Sequence, residues 1–131
     1  MSDYHSHRVH IYYEDTDLSG VVYHANYLKY FERAREHMLG RARLVQLLEE
    51  EGKGFVVYKC SLTFKKGAKL GDEIEVRTVA RKDSPYRATF DHSVWLDGES
   101  QPLVQGVVEM VCVDMEQKLI PLPEIPQLQG A

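Results

Sequence analysis

The sequence predicts an α+β fold in which one long helix lies against a single antiparallel β-sheet. Three observations lead to this prediction: an alternating segment near the start, an amphipathic helical segment after it, and four strand-like segments with short connections. Strands joined by short turns are normally antiparallel neighbours. Because one helix covers only part of a sheet face, the remaining face or a free edge needs a partner, and we expect at least a homodimer.

The first two elements are predicted from the spacing of their apolar residues. Residues 8–14 alternate between apolar and polar, which indicates a strand. The apolar face of this strand consists of Val9, Ile11 and Tyr13. A helix is predicted from about Asn26, a suitable N-cap, towards Glu51, with a bend or break at Gly40. Its buried face, at spacings of three and four residues, consists of Tyr27, Tyr30, Phe31, Ala34 and Met38.

The rest of the chain is predicted to be β-structure. The four strand-like segments are residues 55–64, 73–80, 86–95 and 103–113. Turn residues separate the last three, first Asp83-Ser84-Pro85 and then Asp97-Gly98. The proline-containing residues 121–131 are expected to be a non-helical tail that either wraps the domain or dangles from it. We expect one domain over residues 1–131.

The composition is that of a cytoplasmic enzyme or binding domain. The net charge of −4 gives no electrostatic basis for binding nucleic acid. No apolar run approaches the roughly 20 residues that a membrane-spanning helix needs, and residues 1–7 lack the apolar core of a signal peptide. The two cysteines, Cys60 and Cys112, lie in strand-like runs, which favours buried thiols in a reducing compartment over a disulfide.

The loop between the first strand and the helix carries the residues with the clearest chemical role. It contains Asp15, Asp17 and Gly20, and His24 follows where the helix begins. A carboxylate facing a helix N-terminus suits hydrolysis: it attacks the substrate or activates water, while the free N–H groups stabilise developing negative charge. Asp in such loops more often shapes a turn. The residue pattern alone leaves both interpretations of Asp17 open, whereas Asp15 is expected to organise the loop.

The run from Tyr12 to Tyr27 resembles a known family. It contains the pattern Asp-x-Asp-x-x-Gly-Val-Val-Tyr-x-x-Asn-Tyr, and Phe31-Glu32-Arg33-Ala34-Arg35 follows it. These residues resemble the hotdog-fold acyl-CoA thioesterases, and in particular the branch of 4-hydroxybenzoyl-CoA thioesterase and the YbgC-like enzymes. The resemblance implies a long central helix wrapped by a curved antiparallel sheet, and a homodimer or homotetramer. The hydroxybenzoyl branch has proline where Leu18 stands here, which favours a general acyl-CoA substrate over an aromatic one.

The resemblance also implies roles for individual residues. Asp17 corresponds to the catalytic aspartate, either as nucleophile or as general base for water. His24 corresponds to the position whose backbone N–H polarises the thioester carbonyl, and its side chain is expected to bond Asp17 or the substrate, or simply to stand at the helix start. The remaining residues assigned to substrate binding are Gly20, Val21, Tyr23, Asn26 and Tyr27 for the acyl thioester, and Lys65, Lys66 and Arg87 for the phosphates of coenzyme A.

Two other functions remain as alternatives. A hotdog hydratase or dehydratase would use His24 and Asp17 as an acid–base pair, and a non-catalytic module would only bind acyl-CoA. Acyl carrier protein is a further possible thioester donor. No cofactor is expected, since coenzyme A is part of the substrate. The histidines His5, His7 and His10, at a start expected to be frayed, are interpreted as solvated side chains and not as a metal site.

Overall fold

The computed structural model describes residues 3–128 as an antiparallel sheet with two helices. The first strand is followed by both helices, and the remaining strands come after them. Short 3₁₀ turns lie at Tyr13–Asp15 and Pro126–Leu128. The elements are β1 (His5–His10), α1 (Asn26–Leu39), α2 (Arg41–Glu51), β2 (Lys53–Phe64), β3 (Glu73–Ser84), β4 (Arg87–Leu96), β5 (Val104–Asp114) and β6 (Leu119–Ile120).

The strands are ordered β1-β3-β4-β5-β2, and every pairing is antiparallel. β3, β4 and β5 are neighbours, as consecutive strands with short turns should be. β2 and β3 are not: β2 lies at the outer side of β5, and β6 adds a short pairing to the end of β5. Residues 65–72 make this crossing. They are held by hydrogen bonds from the Lys65 N–H to the Leu103 carbonyl and from the Gly71 N–H to the Ile11 carbonyl.

α1 packs on the sheet through the apolar stripe predicted from the sequence. Tyr27, Tyr30, Phe31 and Ala34 are all buried, and Met38 is half-buried. They meet buried residues of the three central strands, Ile74, Val76, Val94 and Val104. Leu39 and Leu47 extend the core along the sheet, together with Phe90, Val108 and Met110. The helix is therefore positioned by burial of one face against β3, β4 and β5.

One contact brings α1 unusually close to the sheet. The Phe31 ring lies flat on the His92 ring, with centroids 4.5 Å apart and an angle of 4° between planes. It also covers Gly106 of β5, where an added Cβ would stand 2.5 Å from Phe31 Cε2. Only glycine leaves room for the ring at this depth.

His92 links Phe31 to a buried polar network. Arg35 Nη1 lies 3.0 Å from His92 Nε2, and Thr78 Oγ1 lies 2.8 Å from His92 Nδ1. A guanidinium can only donate, so Nε2 accepts and Nδ1 carries the proton that it donates to Thr78. Burial, with the positive charge of Arg35, lowers the pKa of His92 to about 3. His92 is therefore neutral in the folded protein.

Three predictions about the first half of the chain are wrong in detail. β1 runs from His5 to His10, not from residue 8 to 14, so the start is a paired strand and Tyr13 is exposed instead of facing the core. His7 stacks on His37 of α1 with ring centroids 4.8 Å apart, instead of being solvated. The N-cap of α1 is Ala25, since Asn26 is already the first residue of the helix, and the Asn26 amide donates to Asp15. The break at Gly40 occurs, with φ at 99°.

The tail wraps the domain. Leu122, Ile125 and Leu128 are buried in the same core cluster as Phe90 and Val108, and the Leu122 N–H donates to the Pro85 carbonyl. The tail's last residues, 129–131, lie outside the described part of the chain. Burial of three large side chains makes this segment part of the fold rather than an appendage.

The outer edge of β2 is unpaired within the described chain. The strand is 12 residues long, and Val56, Val57 and Tyr58 expose 42%, 48% and 65% of their surface. Its register slips by one residue at Tyr58. Cys60, expected to be buried, is exposed because it lies on this edge strand, while Cys112 is buried. A long apolar edge of this kind calls for a pairing partner.

We predict that Gly106→Ala destabilises the protein by about 1–3 kcal/mol, the usual cost of overpacking a dense core. The added methyl group would displace Phe31, which cannot swing aside because it is fully buried against His92. Urea denaturation measures the change. Gly54→Ala is the matched control, since a Cβ at that position meets nothing within 4 Å. Equal stability of the two variants would contradict the close contact.

We predict that stability falls as the pH drops below 6.5, the ordinary pKa of histidine, towards the lowered pKa of His92 near 3. The unfolded chain takes up a proton there and the folded one does not, so His92 alone should cost about 2 kcal/mol between pH 7 and pH 5. His92→Gln keeps an acceptor for Arg35 and should flatten this dependence. The free energy of unfolding against pH is the measurement, with the exposed His10→Gln as control. Parallel curves for wild type and His92→Gln would contradict the assignment.

Candidate active site

The loop before α1 is folded into a closed turn. Thr16 pairs with Val22 and Val21 with Lys69 as isolated β-bridges, and the Val22 N–H donates to the Ala68 carbonyl at 2.8 Å. Gly20 takes a φ of +80°, the left-handed conformation that glycine adopts without strain. The turn therefore holds residues 17–20 at the surface, just ahead of the helix.

Asp17 is exposed at the tip of this turn. Its Oδ1 accepts hydrogen bonds from the Ser19 hydroxyl at 2.5 Å and from the Ser19 N–H at 2.8 Å. These bonds lower the pKa of Asp17 below its usual value, the side-chain bond more than the backbone one. The carboxylate is therefore ionised and anchored through one oxygen. Its other oxygen has no hydrogen-bond partner within residues 3–128, and it is free to meet a ligand.

Asp15 organises the loop. Its carboxylate accepts from the Tyr12 N–H at 2.8 Å and from the Asn26 amide at 3.0 Å, while its carbonyl accepts from the Tyr23 N–H. The carboxylate thus ties the start of the loop to the first residue of α1. Asn26 was predicted to contact substrate, but its side-chain amide donates to Asp15 and so supports the loop.

The start of α1 presents free backbone donors. The Asn26 N–H donates to the Tyr23 carbonyl, and the Tyr27 N–H points to the His24 carbonyl at 3.4 Å. The N–H groups of His24 and Ala25 make no hydrogen bond within the described chain. Unpaired N–H groups at a helix start, at the positive end of the helix dipole, can bind an oxyanion.

Aromatic rings surround His24. The imidazole is exposed and lies 4.5 Å from the Tyr23 ring and 6.2 Å, edge-on, from the Phe64 ring at the end of β2. No hydrogen bond joins its side chain to Asp17 in residues 3–128. The Phe64 ring also lies 5.8 Å from Tyr27. The helix start is thus attached to the final residue of β2.

Two of the predicted substrate-binding residues are occupied within the fold. Tyr27 is buried, and its hydroxyl accepts a hydrogen bond from the Ala68 N–H at 3.2 Å. Burial raises its pKa, so the phenol stays protonated. Val21 packs against Gly67 so closely that a Cβ added to Gly67 would lie 3.2 Å from the Val21 Cβ. Tyr23, by contrast, is half-exposed beside His24.

The basic residues predicted to bind phosphates lie at opposite ends of the sheet. Lys65 and Lys66 follow the Phe64 end of β2, and Lys66 pairs with Glu99 at 2.9 Å. Arg87 opens β4 opposite Val111, at the other end, within 4 Å of Asp83 and Glu109. One chain therefore does not bring the three cations together.

A cavity of about 590 Å³ lies at the far end of β2. Its walls come from α1, α2 and the first residues of β2, and they are mostly apolar. Among its lining residues are Arg35, Leu39, Leu44, Leu47, Phe55 and Met110. Arg35 was not among the site residues predicted from the sequence. The available signal was a charged side chain directly after Ala34, on the flank of the apolar stripe.

Within residues 3–128, no group of three or more His, Cys, Asp or Glu side chains is placed to hold a metal ion. No helix in that part of the chain has the length and apolar character to cross a membrane.

Comparison with known proteins gives consistent matches. Residues 11–129 match the family model of the thioesterase-like superfamily. The chain is 38% identical to an acyl-CoA thioesterase YbgC from Haemophilus influenzae over 109 residues, which cover 82% of this chain and 79% of the relative. It is 37% identical to the YbgC acyl-CoA thioester hydrolase of Escherichia coli O157:H7, over 81% of this chain and 79% of that protein.

Solved structures agree with the predicted fold. A probable thioesterase from Bartonella henselae superposes with a TM-score of 0.84 at 30% identity, covering 92% of this chain and 99% of that one. A 1,4-dihydroxy-2-naphthoyl-CoA thioesterase from Synechocystis superposes at 0.83 and 25% identity, covering 92% and 90%. The predicted hotdog fold is confirmed. The chain belongs to the thioesterase-like superfamily of hotdog proteins and, within it, to the family of the YbgC acyl-CoA thioesterases.

Proposed function

We propose that the protein hydrolyses acyl-CoA thioesters to a free acid and coenzyme A at the Asp17 loop. The observation that carries this proposal is the pairing of two features in one short turn. Within residues 3–128, one oxygen of the ionised Asp17 carboxylate accepts no hydrogen bond, and the His24 N–H, seven residues later at the helix start, donates none. Thioester hydrolysis needs both: something to attack or activate water, and something to hold the oxyanion.

Two chemical routes fit this arrangement. In one, the Asp17 carboxylate attacks the thioester carbon, the C–S bond breaks with coenzyme A leaving as thiolate, and water hydrolyses the resulting anhydride. In the other, Asp17 takes a proton from water as the water attacks the same carbon. In both, the His24 N–H donates to the carbonyl oxygen as its charge develops. In a single turnover in ¹⁸O-water, label in the Asp17 carboxylate establishes the anhydride route, because only attack of water on the Asp17 carbon of an anhydride places it there.

We further propose that the active form is a homodimer built through β2, with a tetramer as a possible further assembly. The support is the long, exposed, apolar edge of β2. Two-fold antiparallel pairing centred near Tyr58 would lay the Phe64 end of one strand beside the Lys53 end of the other. That pairing would set the His24 loop of one copy against the apolar cavity of the second.

The dimer would also give the site the walls that it lacks in one chain. Along β2, Phe55 at the cavity and Phe64 at the catalytic loop are about 30 Å apart, so a chain's own cavity is a poor acyl pocket for its own Asp17. The second copy's Arg87 end would come to the side of Lys65 and Lys66, where the phosphates of coenzyme A need cations.

The remaining features of the proposal follow from the same site. Acyl-CoA is the proposed substrate, with acyl carrier protein as an alternative donor, and no cofactor beyond the coenzyme A of the substrate is required. Asp17 and His24 are the proposed catalytic groups, and Gly20, Val21, Tyr23, Asn26 and Tyr27 shape the turn and wall around the thioester. A cytoplasmic location is part of the proposal, supported by the two unpaired cysteines.

We predict that Asp17→Asn lowers kcat/KM for acyl-CoA hydrolysis at least a hundredfold, the scale of a lost general base or nucleophile. Free thiol release from a panel of aliphatic and aromatic acyl-CoAs is the measurement. Glu14→Gln, an exposed carboxylate in the same segment, is the control and should stay near wild type. Full activity of Asp17→Asn would refute the site. Double-bond hydration without thiol release would instead favour a hydratase, and binding without turnover a binding module.

We predict that Tyr58→Asp dissociates the dimer and abolishes most of the activity. Two like charges near the symmetry axis repel each other across the proposed strand pair. Sedimentation and thiol release are measured on the same samples. Val45→Asp changes an exposed apolar residue of α2, away from the edge, and should change neither. A monomeric wild type, or a fully active monomeric variant, would refute the composite site.

A further inference from the structure

Arg35 is a buried cation without a counterion. It exposes only 5% of its surface, and no carboxylate oxygen in residues 3–128 lies within 4.0 Å of its guanidinium. Glu32, one turn earlier on α1, is the acidic residue that acts electrostatically on Arg35, and the Glu32 side chain is exposed. Isolated buried charge is destabilising, and proteins keep it chiefly where it has a function.

The guanidinium is held firmly but only partly satisfied. Nη1 donates to the neutral His92 ring at 3.0 Å, and the Phe90 ring lies 5.9 Å from the guanidinium carbon. Thr78 fixes His92 in turn. Of the five N–H groups of an arginine, this leaves four without a protein acceptor in the described chain: the second on Nη1, the one on Nε and both on Nη2. The group is therefore oriented in advance for a further acceptor.

Those free donors border a cavity with both apolar and charged walls. Its apolar lining includes Leu39, Leu44, Leu47 and Phe55, and its charged lining is Glu32, Arg33, Arg35, Glu36 and Lys53. Arg35 is the buried member of the charged set, since the other four are exposed or half-buried. The volume suits a small ligand, and a fixed, buried polar group in a pocket selects ligands by that group. The chemistry that fits is an aliphatic chain with an anionic, two-oxygen end, since a guanidinium binds a carboxylate through two parallel N–H···O bonds.

We propose that Arg35 makes the enzyme selective for acyl-CoA thioesters whose acyl chain carries a free carboxylate at the end away from the thioester. This inference rests on the proposed function and on the cavity as the acyl pocket. The thioester lies at the Asp17 loop of one copy, the methylene chain fills the cavity of the other, and the distal carboxylate meets Arg35. Substrates with a plain alkyl end would bind less favourably, because they would leave the buried charge of Arg35 unpaired.

The test compares matched substrates that differ only at the chain end. Adipoyl-, suberoyl- and sebacoyl-CoA are set against hexanoyl-, octanoyl- and decanoyl-CoA, with kcat/KM read from thiol release. For wild type we expect the carboxylate-ended substrate to be favoured at least tenfold at the best length. In Arg35→Met that ratio should fall at least tenfold, mainly through KM of the carboxylate-ended substrate, as for a lost charge-assisted hydrogen bond.

Control variants separate charge from structure. Arg41→Met removes an exposed arginine of α2 and should keep the wild-type ratio. Arg35→Lys keeps the charge but not the paired donors, and it should retain part of the preference. If Arg35→Met fails to fold, the substrate ratio of wild type and the ratio of Arg35→Lys still test the role of Arg35.

The outcomes distinguish this inference from the proposed function. Hydrolysis of alkyl substrates as fast as of carboxylate-ended ones at every length would overturn the role of Arg35 and leave the thioesterase intact. A ratio of carboxylate-ended to alkyl-ended kcat/KM that is unchanged in folded Arg35→Met would also overturn the role of Arg35 and leave the thioesterase intact. Absence of thiol release from both series, and from the wider acyl-CoA panel, would overturn the proposed function itself.

Discussion

The packing of Phe31 onto Gly106 and His92 is the contact on which the rest of the structure depends. It sets the depth of α1 on the sheet, because a side chain at position 106 would push the ring outwards. The depth of α1 in turn fixes Tyr27, whose hydroxyl accepts from the Ala68 N–H, and the Ala68 carbonyl anchors the Asp17 turn by accepting from the Val22 N–H. The absence of a side chain at Gly106 of β5 thus affects the position of the helix start through three contacts: Phe31 with Gly106, Tyr27 with Ala68, and Ala68 with Val22.

The two flanks of α1 differ in a way that matters for function. On the β1 side, the stacking of His7 on His37 closes the helix against the strand. On the β2 side, the flank of Leu28, Glu32 and Arg35 stays beside an open cavity and an unpaired strand edge. Both β1 and β2 are edge strands, but β2 is twelve residues long with exposed apolar side chains beside a cavity, whereas β1 has only six residues, most of them polar. The β2 edge is therefore the one that favours a pairing partner.

Local pattern predicted the parts of this fold that local physics decides. The stripe from Tyr27 to Ala34 was confirmed because helical periodicity follows directly from burial of one face. Strand order could not be obtained the same way: β2 pairs with β5 and not β3, since the 65–72 connection crosses the sheet end through backbone hydrogen bonds that no side-chain pattern records. The end of β1 was misplaced because alternation continues through Tyr13 after the backbone has left the sheet.

The site divides in the same manner. The Asp17 turn could be located from sequence, because Asp, Ser and Gly at close spacing specify a turn and a helix start follows it. Arg35 could not, because its meaning depends on what surrounds it: the same residue on the far face of α1 would be an ordinary solvated arginine. Its burial, the neutral acceptor at His92 and the leucines and Phe55 beside it come from segments that are far apart in the sequence. A charge placed so deep beside such a cavity fits a ligand that brings the opposite charge, and this is the basis of the proposed preference for a carboxylate-ended acyl chain.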